Sequence, residues 1–358
     1  METTELKVGS DSCDKCTEQA KIVLPYGPHR FCKEHFNEFF ESRVRKTLRT
    51  NNLVEHGEKI AVGVSGGKDS MVTLHLLNKI YGQGGRNKIV AIMIDEGISG
   101  YRDKSMEFGI KYCKAHGIEY ITANFEKEIG ITTADVAEQI HAGNLGGASC
   151  SYCGVFRRSV LSRKASEIGA DKLATGHNMD DECQSILMNL FSNDFARLSR
   201  LGEVAGNMKL KGTVARIKPL YDTPEKEIIA YAALNGIEHY SEECCPHSWM
   251  AKRNQYRKLL NELESSQPGT KHGIMASFRN LKPMLVEMQK GSAEAIMECA
   301  QCGEPANSEL CGTCRQLGKI MEARGKGKNT AKQRMAKGES CALMKGTANK
   351  EMLAAHRQ

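Results

Sequence analysis

Between Lys59 and Gly236 the apolar positions fall into short continuous runs that alternate with stretches of helical period. Lys59–Val64 and Lys88–Ile94 have the character of buried strands, and Ile118–Thr122, Asp171–Thr175 and Thr213–Ile217 read as further strands. Helices are predicted between them at Asp69–Tyr81, Asp103–His116, Thr132–His141, Phe156–Ile168 and Asp180–Phe191. Pro224 opens one more helix, with Glu225 and Glu227 at its positive end, and Gly236 closes it. Strands and helices in alternation predict an α/β fold, a mostly parallel sheet with helices on both faces. Upstream, Phe36, Phe39, Phe40, Val44 and Leu48 stand at helical spacing and predict a helix over Phe36–Leu48. Downstream, Met250 to Met288 reads as helical with a break around Gln267–His272.

Composition narrows the class. The chain has 358 residues, 40% hydrophobic and 26% charged, as a globular protein has. No run of about 18 apolar residues occurs, so no membrane-spanning helix is expected. Met1 to Ser12 is polar and acidic without an apolar core, unlike a signal peptide, and the chain is expected to stay in the cytoplasm. The net charge of +7 is concentrated in the tail: from Ala323 to Gln358 nine Lys or Arg face two acids, so the remainder sums to zero. Overall charge therefore says nothing about nucleic acid. Two local basic stretches do bear on it, Arg43, Arg45, Lys46 and Arg49, then Arg157, Arg158, Arg163 and Lys164.

Fourteen cysteines are many for a reducing compartment, and most stand in C-x-x-C or C-x-x-H pairs, which points to metals or redox chemistry. Cys13, Cys16, Cys32 and His35 form one set and Cys299, Cys302, Cys311 and Cys314 another. Both spacings suit tetrahedral zinc, two ions in all. Each loop is too short to bury a core of its own, so the metal must supply folding energy.

The segment Ser65-Gly66-Gly67-Lys68-Asp69-Ser70 lies between a predicted strand and a predicted helix. Consecutive small residues let backbone N–H groups converge on a phosphate, and the helix N-terminus adds its positive end. It is not a Walker loop: Val62 occupies the first glycine position and Asp69 follows the lysine. A tight strand-to-helix turn is the plainer reading. Gly176-His177-Asn178-Met179-Asp180-Asp181 follows a second strand, where ligands bind in open α/β sheets. Here the plainer reading is a helix cap by Asn178 or Asp180. Cys150-Ser151-Tyr152-Cys153 follows a glycine-rich stretch and precedes Arg157 and Arg158, surroundings that stabilise thiolates. Cys244-Cys245-Pro246-His247 lies far downstream. Three cysteines can hold a four-iron cluster with one iron left open, whereas a persulfide relay would use one thiol to carry sulfur and another to resolve it. A structural zinc half-site is the plainer reading of Cys150 and Cys153.

The loop resembles that of the PP-loop ATP pyrophosphatases. Together with Gly176–Asp181, the paired cysteines and both metal knuckles, it makes the chain similar, from about Cys13 to Cys314, to the TtcA/TtuA family of tRNA thiolases, on the thiouridine branch that carries two zinc fingers. The resemblance implies that Ser65, Gly66, Gly67, Lys68, Asp69 and Ser70 hold the ATP phosphates with Mg2+. It places the adenosine at Ile94 and Asp95 and completes the nucleotide site with Gly176, His177 and Asp180. Asp181 would act near the reacting nucleotide or its metal. It implies a [4Fe-4S] cluster on Cys150, Cys153 and a distant cysteine before proline, which favours Cys245, although the doubled Cys244-Cys245 leaves that choice open. Arg157 stands where relatives carry a catalytic lysine; arginine keeps the charge but does not release a proton. The implied reaction adenylates a tRNA uridine and inserts sulfur at C2, with a thiocarboxylate-ended carrier protein or free sulfide as donor, and the implied assembly is a homodimer.

The implied layout is an N-terminal zinc finger (1–36), a PP-loop domain (37–240), a helical extension with the third cysteine (241–295), a C-terminal zinc finger (296–322) and a basic tail without regular structure (323–358). A zinc protein that binds tRNA without catalysis is the competing reading, but it gives no reason for both nucleotide motifs to be intact. Cys113 and Cys183 read as core residues, and His75, His116 and His141 as ordinary histidines.

Overall fold

The computed structural model describes residues 11–27, 29–205, 214–241, 251–290 and 297–336. Cys244, Cys245, Trp249 and Cys341 lie outside them.

A hairpin of β1 (Ile22–Leu24) and β2 (His29–Phe31) carries the first knuckle and leads into α1 (Lys33–Thr50). The sheet domain follows: β3 (Lys59–Gly63), α2 (Lys68–Leu77) with one wide turn at Asn78–Gly82, β4 (Lys88–Asp95), α3 (Arg102–His116), β5 (Glu119–Asn124), α4 (Phe125–Ile129), α5 (Thr133–His141), α6 (Ser149–Glu167), β6 (Lys172–Thr175), α7 (Met179–Phe191), α8 (Phe195–Leu198), β7 (Val204–Ala205), β8 (Ala215–Ile217) and α9 (Glu225–Leu234). Two helices, α10 (Arg253–Ser266) and α11 (Thr270–Met288), pack on α7. The short pair β9 (Met297–Glu298) and β10 (Pro305–Ala306) carries the second knuckle, and α12 (Gly312–Ala336) closes the described chain.

The sheet order is β5-β4-β3-β6-β8-β7, parallel except for the antiparallel edge strand β7. β3 and β4 are buried except at their end residues, as continuous apolar runs in a parallel sheet should be. One core joins the first knuckle, α1, α2 and α9 to one face of the sheet; Phe36, Phe40 and Tyr231 are wholly buried in it. A second core packs Phe125, Tyr152, Cys153, Phe156 and Val160 against Ile320 and Ala323 of α12. No helix among the described residues is long and apolar enough to cross a membrane.

Three features depart from the sequence expectation. Helix α6 begins at Ser149 rather than Phe156, so both cysteines of Cys150–Cys153 are inside its first turns. The segment lacks apolar periodicity, and burial of Tyr152 and Cys153 against Leu145 and Phe125 sets its start. Helix α12 continues to Ala336, past the knuckle and into the stretch expected to lack regular structure. Strand β7 is too short to leave a period in the sequence.

Candidate active site

The strands β3, β4 and β6 end on one side of the sheet, and a cleft of about 280 Å³ opens there. Ser65, Asp69 and Ser70 line it from the loop after β3, Gly176, His177 and Asp181 from the segment after β6, and Arg157 and Arg253 from α6 and α10. This is the edge at which open α/β sheets bind ligands. The two motifs, more than a hundred residues apart in the chain, are thus brought together.

The loop after β3 is held by its own side chains. Ser65 Oγ and Ser70 Oγ are 3.1 Å apart, Ser65 N–H donates to Ser70 Oγ (3.1 Å), and Ser70 Oγ donates to the Gly67 carbonyl (2.9 Å). Gly66 adopts φ +83°, a left-handed conformation that favours glycine. Tyr240 N–H donates to the Gly66 carbonyl (2.9 Å), pairing the loop with the chain after α9. Gly176 runs against the Asp69–Ser70 backbone, where a Cβ would sit 2.8 Å from Asp69 C and Ser70 N.

Asp69 is the point of contact between the motifs: Asn178 Nδ2 donates to its Oδ1 (3.1 Å) and Lys68 Nζ to its Oδ2 (3.2 Å). Burial, with further repulsion from Asp181 and Glu225, pushes its pKa up to about 6 against the pull of Lys68. Lys68 also binds Glu225 (2.6 Å) and points along α9 rather than into the cleft. Asn178 caps α7 in a reciprocal box with Asp181, so the cap reading and the site reading both hold for this segment. Asp181 Oδ1 also accepts from Arg253 (2.9 Å). The His177 ring is exposed at the cleft, and its Nδ1 lies 2.9 Å from Thr175 Oγ1.

Besides Lys68, two of the expected nucleotide residues lie elsewhere. Asp180 turns away from the cleft: it is buried in an ion pair with Lys271, and its Oδ2 accepts from Glu225 N–H (2.8 Å). Asp95 accepts from Asn124 Nδ2 and Gly97 N–H, each at 2.8 Å, and fixes the turn after β4, while Ile94 does line the cleft.

Cys150 and Cys153, neither of them in a disulfide, are three residues apart on α6, on the same face. Cys153 is buried, and Arg157 Nη2 donates to its sulfur at 3.6 Å. Arg157 Nε lies 2.7 Å from a carboxylate oxygen of Glu96, a wholly buried residue whose other oxygen is 2.8 Å from Arg102 Nε. Arg102 donates to the Ser65 carbonyl (2.6 Å). Glu96, Arg102 and Arg253 were not anticipated. Glu96 is two residues beyond the end of the expected strand Lys88–Ile94, at the edge where ligands bind in such sheets; nothing local marks the two arginines.

The basic stretches are partly consumed inside the protein. Arg43 pairs with buried Glu227 (2.7 Å), and Arg163 and Lys164 with Glu128 (2.9 and 2.7 Å). The two knuckles assemble as the spacing predicts: within each set the four donor atoms lie within 4.8 Å of one another. His75 bonds Tyr112 (2.8 Å), and Cys113 and Cys183 are buried core residues.

A phosphate-sized loop at a helix N-terminus facing an acidic second motif defines a nucleotide-handling PP-loop protein, and residues 36–263 match the PP-loop domain family. The chain is 37% identical over 320 residues to the tRNA 2-thiolation protein NcsA of Haloferax volcanii, covering 86% of this chain and 98% of that protein. It is 34% identical to the tRNA-5-methyluridine(54) 2-sulfurtransferase of Pyrococcus horikoshii, covering 86% and 93%. Among solved structures, the U34-tRNA thiolase NcsA from Methanococcus maripaludis with its [4Fe-4S] cluster is similar at a TM-score of 0.71 and 32% identity, over 85% of this chain and 94% of that one. The chain belongs to the PP-loop family, in the group of tRNA 2-thiolation proteins and tRNA sulfurtransferases.

Proposed function

We propose that the chain is an ATP-dependent tRNA 2-thiouridine synthetase. The observation that carries this reading is the joining of three elements at one cleft: the Ser65–Ser70 loop, the Gly176–Asp181 segment, and Arg157, which reaches from the cleft wall to Cys153. A carrier of nucleotide alone has no need of the third.

In the proposed reaction the backbone of Ser65, Gly66 and Gly67 and the hydroxyl of Ser70 hold the ATP phosphates. Asp69 and Asp181 both line the cleft and repel each other, and the cost of keeping Asp69 charged there is one that Mg2+ would relieve. The uridine O2 attacks the α-phosphorus and pyrophosphate leaves. Sulfur then adds at C2, and AMP departs with the former O2. Arg157 and Arg253 face the charge that develops on the phosphate. Cys150 and Cys153, outside any disulfide and on one helix face, fit two positions of a three-cysteine [4Fe-4S] site, and Cys245 is the proposed third. Such a cluster keeps one iron without a cysteine ligand and supplies a binding place for sulfide. The cysteine and histidine donor sets of the knuckles fit one four-coordinate Zn2+ each. Sulfide or a carrier thiocarboxylate is the proposed donor, a homodimer the proposed assembly and the cytoplasm the proposed place of work.

The test is a metal count and an assay on one anaerobic preparation. About two zinc with about four iron and four sulfide per chain, and ATP-dependent thiolation of tRNA, are expected. Zinc alone with thiolation intact would replace the cluster by persulfide chemistry on the same cysteines. ATP binding without any thiolated product, with iron loaded, would overturn the function.

A further inference from the structure

The buried carboxylate of Glu96 has two guanidinium groups at ion-pair distance, one on each oxygen, and neither contact has hydrogen-bond geometry. A carboxylate with no exposed surface must be paired. Arg102, itself 3% exposed, does that at 2.8 Å while bonding the Ser65 carbonyl, which accounts for its place in the fold. Arg157 is a different case. Its side chain is 44% exposed on the cleft wall, yet its Nε is drawn to 2.7 Å from Glu96. Its far end, Nη2, is 3.6 Å from Cys153 Sγ. An unanchored arginine side chain carries considerable rotamer entropy, and a second anchor removes much of it before any substrate arrives.

We propose that Glu96 is a positioning residue: it holds Arg157 as a fixed cation between the nucleotide cleft and Cys153. The proposal rests on the thiolation reading for its use, but not for its geometry. Arginine does not exchange its proton in this range, so its contribution is placed charge rather than proton transfer. During sulfur transfer, negative charge passes from the sulfur side to the departing phosphate, and a cation already fixed between the two needs no reorganisation. A lysine at position 157 would present a single point charge and could not hold Glu96 at one atom and the sulfur at another.

The first readout needs no activity. Iodoacetamide alkylation of Cys153 in the full chain prepared without iron, followed by peptide mass spectrometry, reports the cation beside the sulfur, because a fixed positive charge there promotes attack by the sulfur. Arg157→Gln, Glu96→Gln and the double variant should slow alkylation by one common factor, about fivefold or more. Glu96→Asp keeps the charge but shortens the reach, guards against misfolding of the Gln variant and should fall between. The second readout is steady-state thiolation, where kcat should drop about 10–100-fold in each single variant with KM for ATP little changed. The double variant should be no worse than Arg157→Gln alone. Multiplying effects, or a Glu96→Gln alkylation rate equal to wild type while Arg157→Gln is slow, would overturn the proposal. A wild type that makes no product would overturn the functional reading and leave the alkylation result to decide this one.

Discussion

The Ser105 carbonyl oxygen lies so close to Gly66 that a Cβ on that glycine would sit 1.8 Å from it. The next glycine is different: a Cβ on Gly67 would meet only Ser65 Oγ, at 3.5 Å. Two adjacent glycines that look equivalent in the sequence therefore have unequal reasons to be there.

Gly66→Ala should force the loop or α3 to move. A displacement of about 1 Å at a reacting group costs about 100-fold in rate, and that is the expected loss in ATP-dependent turnover. Gly67→Ala should lose far less. Comparison of pyrophosphate release by the two variants checks this, and equal losses would mean that backbone flexibility, not the Ser105 contact, sets the requirement.

Asp69 makes a prediction about pH. Its folded pKa of about 6 is above the ordinary 3.8, so the stability it contributes is fully present below about pH 4 and lost as pH rises through about 6. Its side chain is 27% exposed, so the ionised form should cost on the order of 1–2 kcal/mol at pH 8 rather than the full shift. Asp69→Asn should therefore raise Tm at pH 8, with the gain fading toward pH 4, while ATP-dependent activity is lost. Lys68 should keep its other partner, Glu225, which lies 2.6 Å away in the wild type. A lower Tm at pH 8 would show that the Lys68 attraction outweighs burial.

Cys150→Ala should abolish thiolation with Tm within a few degrees of wild type, since Cys150 is only half-buried on the first turn of α6. Product formation in that variant would remove Cys150 from the sulfur chemistry. If a cluster is present, iron content should fall with activity.

The buried pair Asp180–Lys271 predicts a stability defect rather than a nucleotide defect. Each side chain is 5% exposed, and removing one partner of such a pair costs about 3–5 kcal/mol. Lys271→Met should lower Tm sharply and leave ATP affinity of the folded fraction intact. Weakened ATP binding at unchanged Tm would return Asp180 to the nucleotide site.

The order of strands and helices was legible because a parallel sheet buries both faces, which leaves continuous apolar runs such as Lys88–Ile94. The knuckles were legible because metal ligands must recur at fixed spacing. The start of α6 was not: Ser149 to Cys153 carries no helical period, and its conformation follows from packing on residues distant in the chain. Asp180 and Asp181 could not be told apart by sequence, since neighbours on a helix point in different directions. One faces the cleft and the other Lys271. Glu96 and Arg102 were missed because a buried ion pair needs only two side chains that meet in space.

The second knuckle has a mechanical role to test. Glu304, inside it, accepts from Ser159 on α6 (2.9 Å), and Ile320 and Ala323 of α12 share a core with Cys153 and Phe156. Cys311→Ser should release one metal per chain and also increase the accessibility of Cys153 to alkylation by severalfold. Metal loss with Cys153 unaffected would confine the knuckle to its own fold.

Asn178 uses both ends of one amide. Its oxygen accepts from Asp181 N–H at the start of α7, and its nitrogen donates to Asp69. Serine, threonine and aspartate cap helices about as well, but none offers a fixed N–H toward Asp69 while its oxygen is engaged. The position therefore faces two separate filters, and a library screened for expression alone would accept substitutions that a library screened for activity rejects. Drift at this residue is closed not by the fold, which has several solutions, but by the Asp69 carboxylate that its amide nitrogen touches.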